Sequence, residues 1–189
     1  MKLIIGMTGA TGAIYGIRLL EALREASVET HVVLSKWAQA TITLETSLRV
    51  IDVKALATHV YPVDNQAAAI ASGSFLVDGM IIAPCSMKTL ASIRVGLSDN
   101  LLTRAADVMI KERRKLVLVP REAPLNEIHL ENMLSLARMG VVILPPMPAF
   151  YHLPQSIDDI VNHTIARILD QFGIEHHLSQ RWGDRDLES

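Results

Sequence analysis

The chain has 189 residues, a net charge of −2 and a pI near 6.4, which excludes a global basic field for nucleic acid or anionic lipid. Half of its residues are hydrophobic but only 4% are aromatic, so the apolar content is aliphatic and suits helices packed on a buried parallel sheet. No window approaches the ~18 apolar residues of a membrane span, and the N-terminal apolar run is too short for a signal peptide. The single Cys85 rules out an internal disulfide and fits a reducing compartment. The expectation is a cytoplasmic protein with one domain over 1–175 and a loose polar tail over 176–189. Its mean hydropathy of +0.28 leaves some apolar surface for oligomerisation to cover.

Leu3-Ile4-Ile5 leads into Gly6-Met7-Thr8-Gly9-Ala10-Thr11-Gly12, and then Ile14, Ile17, Leu20 and Leu23 recur at three-residue steps. This is strand, tight turn and helix. Glycines let the turn bend, while free N–H groups at the helix start and the hydroxyls of Thr8 and Thr11 can hold an anion such as phosphate. The spacing is neither the dinucleotide fingerprint nor a Walker loop, and a tight βα connection is the plainer alternative.

Thr30-His31-Val32-Val33-Leu34 reads as a second strand with Ser35 just past its end, followed by a helix over 37–46. In 47–75, Leu48-Arg49-Val50-Ile51 fits helix or extended chain, and His59-Val60-Tyr61 a short strand. Met80-Ile81-Ile82-Ala83 is a buried strand ended by Pro84-Cys85-Ser86. The helix after it opens on Ser86-Met87-Lys88-Thr89, placed as a second anion cradle or as ordinary capping. Cys85, ending a buried strand, reads as packing rather than as a nucleophile.

Ser98-Asp99 caps a helix running to about Arg113. Arg104 and Lys111 point to one side of it, roughly 10 Å apart, with Asp107 between them as a pairing partner for both. Leu116-Val117-Leu118-Val119 is the next strand, and Arg121-Glu122 leaves its end where a sheet meets its ligand. Arg121 can grip a phosphate or a flavin carbonyl by its fork and Glu122 can relay a proton, or the two can form an ion pair. A helix over 126–139 ends at Gly140, and Val141-Val142-Ile143-Leu144 is the last strand. A proline-rich loop carries Tyr151, an aromatic packing group or a phosphate donor. In the final helix Arg167 sits at the edge of an apolar stripe, where it snorkels or binds an anion. His176-His177 reads as decoration of the tail.

Apolar strands alternating with amphipathic helices make a parallel α/β sheet covered on both faces. Gly9-Ala10-Thr11-Gly12-Ala13-Ile14-Tyr15-Gly16, Pro84-Cys85-Ser86-Met87-Lys88-Thr89-Leu90, Leu101-Leu102-Thr103-Arg104-Ala105-Ala106-Asp107-Val108, Lys111-Glu112-Arg113-Arg114, Pro120-Arg121-Glu122 and Pro145-Pro146-Met147-Pro148-Ala149-Phe150-Tyr151 together closely resemble the UbiX/Pad flavin prenyltransferases. The likeness runs from Lys2 to about Phe172. It implies a three-layer Rossmann-like (flavodoxin-like) fold and a homo-dodecamer with active sites at subunit contacts. It also implies a metal-independent enzyme that joins the dimethylallyl group of dimethylallyl phosphate to N5 and C6 of reduced FMN. The product, prenylated FMN, serves a UbiD-type decarboxylase.

By the same resemblance, Gly9, Ala10, Thr11, Ser35, Ser86, Met87, Lys88, Thr89 and Arg121 hold FMN. Lys111, Glu122, Tyr151 and Arg167 surround the prenyl phosphate with Arg104 nearby, and Glu122, Thr11 and Glu45 have catalytic roles. The family usually has Ser where this chain has Thr8 and Thr11, so the hydroxyls survive with an added methyl. The rival readings are an FMN-binding electron-transfer or carrier flavoprotein and a cysteine-acting flavoprotein decarboxylase. The latter shows a Pro-x-Met-Asn run where this chain has Pro146-Met147-Pro148-Ala149.

Overall fold

Strands β1 (Lys2–Met7) and β4 (Gly79–Cys85) lack polar alternation because they lie side by side in the middle of the sheet, buried on both faces. A computed structural model describes residues 1–183. Around this pair the chain lays down α1 (Ala13–Glu25), β2 (Glu29–Leu34), α2 (Lys36–Glu45), α3 (Val50–Lys54) and β3 (His59–Tyr61). After β4 come α4 (Met87–Arg94), α5 (Leu101–Lys111), β5 (Lys115–Pro120), α6 (Glu127–Arg138), β6 (Val142–Ile143) and α7 (Ile157–Asp170).

All strand pairs are parallel, in the order β3-β2-β1-β4-β5-β6. Leu3, Ile5, Ile81 and Val117 pack with Ile17 and Leu20 of α1 and Ile165 and Ile168 of α7 on one face. Ile4, Val33, Ile82 and Leu118 pack with Leu90, Leu102, Ala106 and Leu136 of α4, α5 and α6 on the other. This is the expected three-layer Rossmann-like fold. Its strand order reverses between β1 and β4, and the crevice beyond the carboxyl ends of those two strands is where such sheets bind ligands.

Three local expectations are corrected. Asn100, not Ser98-Asp99, caps α5, because its side-chain carbonyl reaches the N–H groups of Leu102 and Thr103 at 3.0 and 3.1 Å. The last strand is only Val142–Ile143. Leu144 N–H still donates to Leu118 O at 2.8 Å, but Pro145 has no N–H to continue the ladder. Segment 47–75 bears out the short strand, as β3, and takes the helical alternative from Val50, as α3, with a 3-10 turn over Ala69–Ala71 besides. The tail is not loose where it is described: the buried His176 side chain has its Nε2 3.1 Å from Asp170 Oδ1, and Arg181 pairs with the same carboxylate at 2.7 Å. Residues 184–189 of the expected tail lie outside the described residues.

No described helix is long and apolar enough to cross a membrane. Trp37 and Leu44 on α2 are 74% and 84% exposed, and Ile128, Leu130 and Leu134 of α6 are exposed as well. The chain alone therefore carries the uncovered apolar surface that its hydropathy implies.

Candidate active site

The loop ends along the carboxyl edge of the sheet are tied to one another in a row. Thr8, 2% exposed, donates its hydroxyl to Pro84 O at 3.0 Å and accepts from Ser86 N–H at 2.7 Å. Ser35 N–H donates to Met7 O at 3.0 Å, and Arg121 N–H to Cys85 O at 3.2 Å. The ends of β1, β2, β4 and β5 are thus fixed relative to each other before any ligand arrives. One threonine hydroxyl joins the two turns at the switch point, so it is not available to an anion as the sequence implied. Replacing Thr8 with valine strands the Ser86 N–H. The expected cost is about 1–3 kcal/mol in chemical denaturation, whereas Thr8→Ser keeps both bonds and stays near the wild type.

Gly9 has its own reason to be glycine: a Cβ there would lie 2.2 Å from Trp37 Cβ. Gly12, at φ 102°, turns the chain left-handed into α1 and offers no capping side chain. That cap comes from Glu45 at the end of α2, whose Oε2 accepts from Gly12 N–H at 2.8 Å and Ala13 N–H at 2.9 Å. The N–H groups expected to be free for a phosphate are therefore held by a carboxylate. Burial pushes the Glu45 carboxyl up. The Thr11 hydroxyl, the Ala13 and Gly12 N–H groups and the Arg121 guanidinium outweigh this and hold it below the ordinary carboxylate value. A depressed folded value contributes stability that is present above the unfolded value and lost as pH falls through the folded one. Glu45→Gln is expected to flatten the acid limb of a stability–pH profile, as followed by denaturation midpoints.

The start of α4 is the remaining anion cradle. Ser86 Oγ accepts from Thr89 N–H at 3.3 Å and donates to Thr89 Oγ1 at 3.1 Å, so Ser86 does cap the helix. Helix geometry leaves the Met87 and Lys88 N–H groups without intrahelical acceptors. Ser35 likewise caps α2, accepting from Ala38 N–H at 3.0 Å. Glu122 accepts from Ala123 N–H at 3.1 Å, while the field of Arg121 falls on Glu45. Cys85 is wholly buried and its thiol is pushed up to about 12, which fits packing.

A second cluster surrounds a cavity of about 400 Å³ lined by Tyr151, His163, Arg167, Asp170, Arg181 and Trp182, among others. Tyr151 Oη lies 2.9 Å from His163 Nε2, and the His163 ring is braced by His152 stacked at 4.9 Å. Trp182 meets Tyr151 edge to face at 5.3 Å. Asp170 gathers Arg167 and Arg181, each at 2.7 Å, and His176 at 3.1 Å. Burial raises the Asp170 carboxyl, but Arg181 and His176 together draw it below its ordinary value. In this chain the anion Arg167 meets is the Asp170 carboxylate. The guanidinium is an exposed cation steered by a shared carboxylate.

Within one chain these groups do not meet at the mouth. Lys111 ends α5 four residues before Lys115 opens β5, so the six-residue strand, about 20 Å long, separates it from the Ser86 turn. It pairs with Glu112, not with Asp107. Arg104 pairs with Asp107 at 2.8 Å and donates to Ala71 O at 3.1 Å. The last turn of α7, with Arg167, lies near that same far edge, because Lys115 Nζ donates to the carbonyl of Gln171. The chain thus presents Thr11, Glu45, Ser86 and Arg121 at one edge of the sheet and Lys111 and Arg167 towards the other.

Residues 1–169 match the family model described as Flavoprotein. A Bacillus subtilis protein named "Probable UbiX-like flavin prenyltransferase" is 63% identical over 182 residues, covering 96% of this chain and 89% of its own. The chain belongs to the UbiX-like flavin prenyltransferase family. Among solved structures, AnUbiX (PadA1) in complex with FMN and dimethylallyl pyrophosphate superposes with a TM-score of 0.96 at 52% identity, covering 98% of both chains. A dodecameric FMN-dependent Ubix-like decarboxylase from Escherichia coli O157:H7 gives a TM-score of 0.95 at 64% identity, covering 96% of this chain and 99% of its own.

Two supporting residues escape the motifs, His163 as the partner of Tyr151 and Asp170 as the hub for Arg167, while Thr8, singled out in the first turn, has another role as the tie between turns. Asp170 carries a signal in the sequence, since it lies three residues after Arg167 on one helix face. His163 also does, as a polar residue on an otherwise apolar stripe.

Proposed function

We propose that this chain transfers the dimethylallyl group of dimethylallyl phosphate to N5 and C6 of reduced FMN, making prenylated FMN for a UbiD-type decarboxylase. The observation that carries this is the tied row of loop ends at the β1/β4 crevice, with Thr11, Glu45 and Arg121 in electrostatic contact inside it. The residues fit FMN. The α4 cradle of Ser86, Met87, Lys88 and Thr89 suits its phosphate, and Ser35 and Arg121 supply further donors. Bound reduced FMN supplies the two nucleophilic ring positions.

The chain's own residues do the rest. Lys111, Arg167 and the Tyr151 hydroxyl grip the phosphate as the allylic C–O bond breaks, which lowers the cost of charge on the leaving oxygens. Glu122 accepts the proton lost from the ring, and Glu45 and Thr11 serve as a relay. Because Lys111 and Arg167 lie away from the mouth, they reach it from neighbouring copies, in line with the dodecameric relative. The exposed apolar side chains on α2 and α6 supply surface for such contacts. The domain extends over 1–175, and the cytoplasm suits its single thiol.

Incubating the protein without oxygen with reduced FMN and dimethylallyl phosphate is expected to release a flavin heavier by one five-carbon unit in mass spectrometry. Recovery of unchanged FMN would reject the reading.

A further inference from the structure

We propose that Glu29, His31 and His59 form a binding site for one divalent cation of the zinc class, at the sheet edge remote from the mouth. Glu29 and His31 are two residues apart on β2 and so project from the same face. The parallel register pairs His31 with His59 of β3, which sets a third side chain beside them. One ligand atom from each of the three lies within 4.8 Å of the other two. Glu29 Oε1 is 2.9 Å from His31 Nε2 and 3.6 Å from His59 Nε2. Ligands bound to zinc at 2.0–2.1 Å in a tetrahedron stand roughly 3.3–3.4 Å apart, and the two separations straddle that value.

The ring of His31 is already fixed. It is 3% exposed, meets Phe75 edge to face at 5.2 Å, and has its Nδ1 2.9 Å from the Tyr61 hydroxyl. Without a metal, Nε2–H donates to the Glu29 carboxylate and Nδ1 accepts from Tyr61. A metal replaces the proton on Nε2, which moves to Nδ1 and is then donated to Tyr61, the way an outer partner orients a metal-binding imidazole. His59 is half exposed and leaves the cluster accessible, with a fourth position for water. Two imidazole nitrogens and one carboxylate oxygen suit zinc, whereas magnesium and calcium take oxygen ligands.

A cation already sits here. Lys2 Nζ is 3.3 Å from Glu29 Oε1, and it also lies 4.7 Å from the centre of the Phe75 ring, where it can remain once a metal claims the carboxylate. Glu29 opens β2, one strand length from Ser35, so the bound ion fastens the edge strand β3 to β2 and takes no part in the transfer reaction.

The test is a calorimetric titration of the chelator-treated, full-length protein with zinc chloride, paired with thermal denaturation. One zinc per chain and a raised Tm are expected. His59→Ala, chosen because that side chain is exposed, and Glu29→Gln should abolish both effects. Tyr61→Phe should weaken binding about tenfold, and Lys2→Met should tighten it. Cobalt in place of zinc should give the visible absorption of a low-symmetry site in the wild type and not in His59→Ala. Absence of stoichiometric binding overturns the proposal. So does binding that survives both His59→Ala and Glu29→Gln, or that is lost instead on His177→Ala.

Discussion

Replacing Arg167 with methionine is expected to slow dimethylallyl transfer by about a hundred- to a thousandfold while FMN binds as in the wild type. The side chain lines the Tyr151 cavity, outside the cradle of residues 86–89, so the flavin's own contacts are untouched. The phosphate that leaves the allylic carbon loses a cation where charge develops. Asp170 also holds Arg181 and His176, so removing the guanidinium leaves that carboxylate partnered and the local fold intact. Single-turnover mass spectrometry gives the rate, and quenching of flavin fluorescence gives the affinity. An unchanged rate would mean that Arg167 does not grip the leaving phosphate. A parallel loss of FMN binding would place Arg167 with the flavin instead.

The second large effect is complementation between inactive chains. Lys111→Met and Arg121→Met are each expected to abolish turnover when assembled alone. They disable opposite edges of the same chain, so a mixed assembly contains sites with both residues intact. Random assortment leaves about a quarter of the sites whole, and activity should return to about that fraction. The check is to mix the two variants under conditions where subunit exchange is followed by mass. Exchange without recovered turnover would mean that Lys111 and Arg121 serve one chain's site, against the separation set by β5.

The central strands were legible because their burial on both faces leaves continuous apolar runs, as in Leu3-Ile4-Ile5 and Met80-Ile81-Ile82-Ala83. The turns carrying Gly9 and Ser86 followed from glycine and capping chemistry at strand ends. What the sequence conceals is how polar groups are shared out after folding. Thr8 and Thr11 look equivalent in the first turn, yet Thr8 is consumed by the backbone of β4 while Thr11 faces Glu45. The helix N-terminus looks free until a residue 33 positions away fills it. Arg104 and Lys111 share a helix side, but Lys111 takes its immediate neighbour as partner instead of Asp107. Pairings of this kind depend on side-chain reach in three dimensions, to which periodicity is blind.

The placement of the two half-sites also governs how copies can join. A chain that offers cations at one end and receives them at the other makes a head-to-tail contact, and such contacts run on until a ring closes. On the proposed function, an altered Lys111 then harms the adjoining chain's pocket and spares its own, so a minority of faulty subunits is felt beyond the molecules that carry the fault.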